Sequence, residues 1–356
     1  MKQSNHIDLL FDIEPISSEW LSKARNRLDN LVKPKGSLGL LEDIAAKVVA
    51  IRKQERPFLK KRAVFVFAGD HGVVTEGISA YPQDVTLGMV KNFLNGVAAI
   101  NAIAKGVGAD VYVVDIGVNG DIKEESPFLI RKKVKKGTQN IVQGPAMTLE
   151  EAKKAINVGI ELADMAKDMG IEIIATGDMG IGNTTSSAAL FCALLGCSPE
   201  DIVGKGTGID DESLMRKIEV VKKALMTNKA FFNNPINTLS AIGGLEIAGI
   251  CGLCIGGAKN HLVVLVDGFI ASAAALVAIK INQNVKDYMF FSHVSAEKGH
   301  RIFFEKIGER PILNLDMRLG EGTGAVLAMH IIDAALMVYN EMATFEEVGI
   351  APGPNK

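Results

Sequence analysis

Aromatic residues are scarce in this 356-residue chain. They make up 6% of it, with one Trp and four Tyr. A charge of single sign is lacking too, because 39 Lys and Arg face 41 Asp and Glu, leaving a net charge of −2. Nucleic-acid binding needs a clustered basic surface, so that class is not expected. The one dense basic run, Arg131, Lys132, Lys133, Lys135 and Lys136, reads as a solvated edge beside a loop. Cysteine is limited to Cys192, Cys197, Cys251 and Cys254. Residues 1–12 hold no basic region followed by an apolar run, so no signal peptide is expected. The chain therefore reads as cytoplasmic, where disulfides are rare. Cys251 and Cys254 have the spacing of a zinc-ligand pair, but a tetrahedral site wants a second pair. Cys192 and Cys197 have the wrong spacing, and all four read as buried thiols. Long unbroken hydrophobic runs are missing as well. The most apolar stretches, 239–257 and 262–281, are interrupted by Gly and by Glu246, Lys259, Asp267 and Ser272. They read as core segments, with no membrane span.

Glycine is what the chain has in quantity, at 36 residues placed singly or in short motifs. Many glycines with few aromatics suit a backbone that approaches small ligands closely. Residues 17–31 and 40–55 show helical periodicity, separated by the breaker Lys33, Pro34, Lys35, Gly36, Ser37, Leu38, Gly39. Beyond them, short β-branched or aromatic runs end in acids and glycines. Segment 63–67 leads to Gly69, Asp70, His71 and Gly72, 111–114 to Asp115 and Gly117, and 171–174 to Thr176, Gly177 and Asp178. Segment 262–266 leads to Asp267 and Gly268, 288–291 to Ser292 and His293, and 312–315 to Asp316. Helix-length segments lie between, at 148–169, 186–195 and 212–228. Strands apolar on both faces that alternate with helices predict an α/β fold, doubly wound, with a mostly parallel sheet covered on both sides. Ligands in such folds sit beyond the carboxyl ends of the strands, where these Asp, His and Gly residues fall. The apolar helix expected over 324–343 pairs with the N-terminal helices in this reading. Residues 1–58 and 324–356 then form a small helical domain, and 59–323 a large Rossmann-like one.

The strongest local signal is 175–185, which follows a strand and opens a helix with Gly177, Asp178, Gly180, Gly182, Asn183 and Thr184. Free backbone N–H groups and a helix N-terminus make it an anion site, and a phosphate is the natural occupant. Its glycines follow neither the dinucleotide fingerprint nor the P-loop. Gly204, Lys205, Gly206, Thr207 and Gly208 form a second Gly-rich turn before a helix that carries Lys217, in reach of a phosphate or carboxylate. Asp210 and Asp211 match the acid pair of enzymes using phosphoribosyl pyrophosphate with magnesium, but they follow the loop and start a helix, which suits dipole complements better. In the run Leu319, Gly320, Glu321, Gly322, Thr323, Gly324, a carboxylate sits between glycines before an apolar helix. An apolar neighbourhood raises a carboxyl pKa, as a general base requires, although a helix-start carboxylate is usually a cap. Tyr81 can stack on a flat heterocycle. His71 lacks a second metal ligand at suitable spacing, and Ser292, His293, Ser295 and His300 read as polar lining.

Taken together the chain resembles the nicotinate-nucleotide–dimethylbenzimidazole phosphoribosyltransferases of the cobalamin lower-ligand pathway. The likeness rests on nine segments in order over nearly the whole chain: 35–39, 67–73, 79–83, 180–185, 204–208, 240–246, Asp267 with Gly268, 292–295 and 318–324. It implies a pentosyl-transferring homodimer without cofactor or metal, acting on nicotinate mononucleotide and a benzimidazole-type base. It implies Glu321 as catalytic base, with Asp178 and Lys217 also important to activity. By the same resemblance Ser79, Tyr81, Gln83 and Leu319 bind the base. Gly180, Gly182, Asn183, Thr184, Gly204, Gly206, Thr207, Gly208, Asp267 and Gly268 hold phosphate and ribose, and Ser292, Ser295 and Gly320 lie on the nicotinate side. Asp178 stands where the family commonly has Glu, and Gly88 where it often has Gln, which bears on the preferred base. A phosphoribosyl-pyrophosphate-dependent transferase and a non-catalytic nucleotide-binding protein are the alternative readings.

Overall fold

The computed structural model describes residues 12–206 and 208–351. Its centre is a six-stranded parallel sheet with strands β1 (Arg62–Gly69), β2 (Asp110–Gly117), β3 (Leu129–Arg131), β4 (Ile173–Met179), β5 (Val263–Val266) and β6 (Met289–Phe291), in the order β3-β2-β1-β4-β5-β6. The chain winds outward from β1 to β3, then crosses back to β4 and winds outward the other way. The turn-around lies between β1 and β4, where the loops after two adjacent strands diverge and leave a crevice.

The strands are apolar on both sides because helices cover both faces. On one face Phe67 and Ile174 lie against Gly249 and Gly257 of the helix Leu245–Lys259. That helix packs closely on Leu149–Asp168: a Cβ at Gly159 would stand 2.0 Å from the Gly249 carbonyl oxygen. On the other face Val64 and Val66 meet Gly322 and Gly177, beside the helix Thr323–Glu341, which packs on β4 and β5. The same helix touches Leu40–Arg52, which packs on Ser18–Asn30. Arg27 donates hydrogen bonds to the carbonyl oxygens of Tyr339, Asn340 and Met342, and Leu31 pairs with Thr344 in an antiparallel bridge.

The expected α/β sheet is present, with differences at its edges. The strand anticipated over 312–315 does not form. Leu313 makes a single bridge to His293, with the Ile312 and Leu313 amides donating to Phe291 and Ser292, and the chain then turns at Asp316 with φ 54°. Edge strand β3 has only three residues, too few for a period-2 pattern to register. The stretch 239–257 divides between the helices Pro235–Ile242 and Leu245–Lys259, and 262–281 between β5 and the helix Phe269–Ile281. Almost every residue of these elements is buried. Among the described residues, two helical stretches are long and apolar enough to cross a membrane by length and composition. They are 85–107, which is interrupted between Leu94 and Ala99, and Thr323–Glu341, which is mostly buried. All four cysteines are free, three of them buried, and burial pushes the Cys254 thiol up to about 12. The basic run is neutralised by acids: Lys132 pairs with Glu161, Lys133 with Asp115, Lys135 with Glu151 and Lys136 with Asp121.

Candidate active site

A cleft of about 260 Å³ opens beyond the carboxyl ends of β4 and β5. One wall is the turn after β4, from Asp178 through Gly180, Gly182, Asn183 and Thr184, and the others are built from Gly206, Gly268, Ser295 and the segment 318–320. Ser79 and Tyr81 close one side. The turn can lie there because Gly180 has no side chain: a Cβ on it would stand 2.2 Å from the Gly69 carbonyl oxygen. Gly182, with φ 98°, caps the helix Asn183–Leu195, whose N-terminus therefore faces the cleft with its partial positive charge.

Lys217 reaches this wall from the helix Asp211–Asn228. It is buried, and its Nζ donates to Thr184 Oγ1 at 2.8 Å and to the Gly204 carbonyl at 3.2 Å. It thus ties the second Gly-rich loop to the start of the helix Asn183–Leu195. Burial pulls its ammonium down to about 8, against the attraction of the nearby Glu297 carboxylate. Arg318 binds the same loop by donating to the Gly206 carbonyl at 2.9 Å. The Asp210 and Asp211 pair does not enter the cleft. Asp210 caps its helix by accepting the Ser213 amide at 2.8 Å, and Asp211 pairs with Lys205.

Glu321 occupies an uncommon backbone. Gly320, Glu321 and Gly322 have φ of 81°, 63° and 89°, three left-handed residues in a row. The conformation costs a non-glycine residue roughly 1–2 kcal/mol, so the surrounding structure must hold it. Asp267 does so: Oδ2 accepts the Gly322 amide at 3.1 Å and Oδ1 the Ala325 amide at 3.0 Å. The Glu321 amide donates to the Asp178 carbonyl. A Cβ at Gly177 would stand 2.7 Å from the Glu321 carbonyl oxygen, so β4 itself leaves room for the loop. Glu321 is 4% exposed, and its Oε2 has no hydrogen-bond partner among the described residues. Burial raises its pKa, the Asp267 charge adds to this, and the Ile100 amide opposes it. Asp178 is raised further, first by burial and then by the charges of Asp267 and Glu246. Asn183 opposes the shift by donating to Oδ2 at 3.0 Å, and Oδ1 has no partner among the described residues. Buried carboxyls with raised pKa hold a proton more readily than exposed ones.

Residues 13–350 match the family model described as Phosphoribosyltransferase. The nicotinate-nucleotide–dimethylbenzimidazole phosphoribosyltransferase of Chlorobaculum tepidum is 52% identical over 343 residues, 96% of this chain and 97% of that one. The enzyme of the same name from Geobacter sulfurreducens is 52% identical over 346 residues, 97% and 98% of the two chains. The crystal structure of CobT from Thermus thermophilus superposes with a TM-score of 0.90 at 46% identity, covering 94% of this chain and all of that one. The chain belongs to the nicotinate-nucleotide–dimethylbenzimidazole phosphoribosyltransferase family.

Most site residues expected from that family resemblance come together here. Ser79, Tyr81, Asp178, Gly180, Gly182, Asn183, Thr184, Gly206, Gly268, Ser295, Leu319 and Gly320 line the cleft. Others stand behind it. Gln83 donates to the His71 carbonyl and accepts from Asn119. Ser292 is fully buried against His293, and Gly204 meets Lys217 and Glu297. Gly208 is exposed, and Thr207 lies outside the described residues. Asp267 does not line the cleft, since both its carboxylate oxygens hold the Glu321 loop. Of the two histidines read as lining, His293 is in the cleft wall. His300 is buried with Ser272 and the Ser295 amide, and burial drops its pKa to about 3. Sequence reasoning missed Glu297, Phe269 and Ile270 as lining residues. Glu297 follows no motif that would have marked it.

Proposed function

We propose that this chain transfers the 5-phosphoribosyl group of nicotinate mononucleotide to 5,6-dimethylbenzimidazole or a similar base. The products are nicotinate and alpha-ribazole 5′-phosphate, for the nucleotide loop of cobalamin. The observation that carries the reading is the buried Glu321 carboxylate with an oxygen unpartnered among the described residues, one residue beyond Gly320 in the wall of a cleft that a helix N-terminus also borders.

In this reading the turn 180–184 and Lys217 hold the 5′-phosphate, and Tyr81 and Leu319 flank the incoming base. Tyr81 and Leu319 are 53% and 57% exposed, open apolar surfaces to which a flat heterocycle can stack. A ring nitrogen lone pair of the base forms the new bond to C1′. The bond from C1′ to the pyridinium nitrogen breaks, and its electron pair returns to that nitrogen, so nicotinate leaves neutral at the ring without an acid catalyst. Positive charge builds on the base, and the Glu321 carboxylate takes its other ring N–H proton. The raised pKa of Glu321 makes it a better proton acceptor than an exposed glutamate. Asp178, with one free oxygen in the cleft wall, supports ribose or base through a hydrogen bond. Much of the acceleration is positioning of C1′ between two planar rings, worth up to roughly 7–11 kcal/mol in favourable systems. The protein works as a cytoplasmic homodimer, and the described parts of the terminal segments 1–58 and 324–356 form a helical unit beside the catalytic domain 59–323, residues 1–11 and 352–356 lying outside the described residues.

The test mixes purified protein with nicotinate mononucleotide and 5,6-dimethylbenzimidazole and separates the products by chromatography. Free nicotinate with an equimolar riboside phosphate is expected. Reaction only with phosphoribosyl pyrophosphate and magnesium, or nucleotide binding without release of nicotinate, would overturn the reading.

A further inference from the structure

A hydrogen-bonded chain of three buried side chains lies beneath the turn 180–184, outside the cleft. His71, on the loop after β1, is completely buried. Its Nδ1 stands 3.1 Å from Ser186 Oγ and its Nε2 2.5 Å from Glu246 Oε1. Ser186 and Glu246 are fully buried as well. Ser186 belongs to the first turn of the helix Asn183–Leu195, and Glu246 to the first turn of Leu245–Lys259. With Nε2–H donating to Glu246 and the Ser186 hydroxyl donating to Nδ1, both ring nitrogens are engaged. The β1 loop, the phosphate-type helix and the helix on the sheet face are thereby joined through one imidazole.

The ring has little freedom. A Cβ at Gly244 would stand 2.4 Å from His71 Cε1, and one at Gly180 would stand 3.5 Å from Cδ2. The Gly182 position lies 3.1 Å from His71 Cβ by the same measure. The glycines that shape the anion turn thus rest directly on this histidine. Glu246 Oε2 has no partner, so the bond from His71 is its carboxylate's only side-chain contact with a donor in the described hydrogen-bonding network. A buried carboxylate so placed holds its donor firmly, because losing that bond would leave it uncompensated.

We propose that Ser186, His71 and Glu246 form a positioning relay that sets the height and tilt of the helix N-terminus, and with it the grip of turn 180–184 on the substrate phosphate. Ser186 is no nucleophile, being closed to substrate by its burial. The relay acts through the turn and touches no reacting atom. It rests on the reading that this turn holds the 5′-phosphate, and it adds residues to which the chemistry above gives no part.

The experiment compares Ser186→Ala and Glu246→Gln with the unaltered protein. Binding of nicotinate mononucleotide and of nicotinate riboside, which lacks the phosphate, is measured by calorimetry, and each protein's melting temperature is recorded. The unaltered protein binds the mononucleotide more tightly, and that margin is the contribution of the phosphate. In both variants the margin shrinks about five- to tenfold, the worth of one well-placed hydrogen bond, while riboside affinity holds. Equal weakening of both ligands, or an unchanged margin, would show a purely structural role and sink the relay. An unaltered protein that binds both ligands equally would remove the phosphate reading itself, and the relay with it. Should Glu246→Gln fail to fold, Ser186→Ala deletes a single hydroxyl and carries the test alone.

Discussion

Glu321 is the base in the proposed reaction, and that reading predicts a separable defect. Glu321→Gln keeps the shape of the side chain and removes its ability to take a proton. Nucleotide affinity is expected to stay within about twofold, while kcat falls by roughly 10²–10⁴, as single-turnover kinetics would show. Normal turnover in that variant would remove Glu321 as base. Lys217 carries a pH signature. Its pKa drops from 10.5 to about 8 on folding because the buried ammonium is poorly solvated. Below pH 8 it is charged in both folded and unfolded chains, and its burial opposes folding. That cost fades as pH rises from 8 toward 10.5, where the folded form is neutral and the unfolded form still charged. In the proposed reading phosphate binding runs the other way, since it needs the ammonium. Affinity for nicotinate mononucleotide should therefore weaken as pH rises through about 8, approaching tenfold per unit above it. A titration that stays flat from pH 7 to 9.5 would release Lys217 from the phosphate.

At the scale of elements, the left-handed run 320–322 is held by its neighbours and not by its own preferences. Asp267 at the end of β5 supplies two acceptors to the start of the helix Thr323–Glu341. Asn at that position keeps the size but has one acceptor oxygen, so one amide loses its bond. Asp267→Asn should cost about 1–3 kcal/mol in chemical denaturation and lower kcat more than it raises the KM for nucleotide, because the loop it holds carries the proposed base. Equal stability and equal kcat would contradict this. Gly177→Ala probes the same loop from β4, where the new methyl would press on the Glu321 carbonyl. Elements with strong periodicity were legible from sequence: the helix Leu149–Asp168 carries its capping box at Thr148 and Glu151, and β1 is a continuous apolar run. The stretch 312–315 misled because Ile312 and Leu313 pack beside edge strand β6 without completing a ladder, while Leu315 is exposed.

For the whole molecule, ligand binding and folding are linked. Nicotinate mononucleotide at 100 times its Kd should stabilise the fold by about 2.7 kcal/mol, read as a higher melting temperature, and light scattering should report the mass of two chains. What the sequence by itself determined was the parallel α/β class, the placement of chemistry at strand ends, and the glycine turns that leave space for an anion. These follow from local rules: apolar periodicity, helix starts, and glycine where no other residue fits. Tertiary structure alone decided which polar residues face the cleft and which stand behind it. Asp267 and Ser292 sit at strand ends like Asp178, yet their hydrogen bonds turn inward. Glu297 has no motif around it, yet lines the cleft. His71 lies 115 residues from Ser186 and 175 from Glu246 along the chain, and the three meet only because two helices and a strand converge. Burial and partnership depend on chain segments far apart in sequence, and no local pattern encodes where those segments will meet.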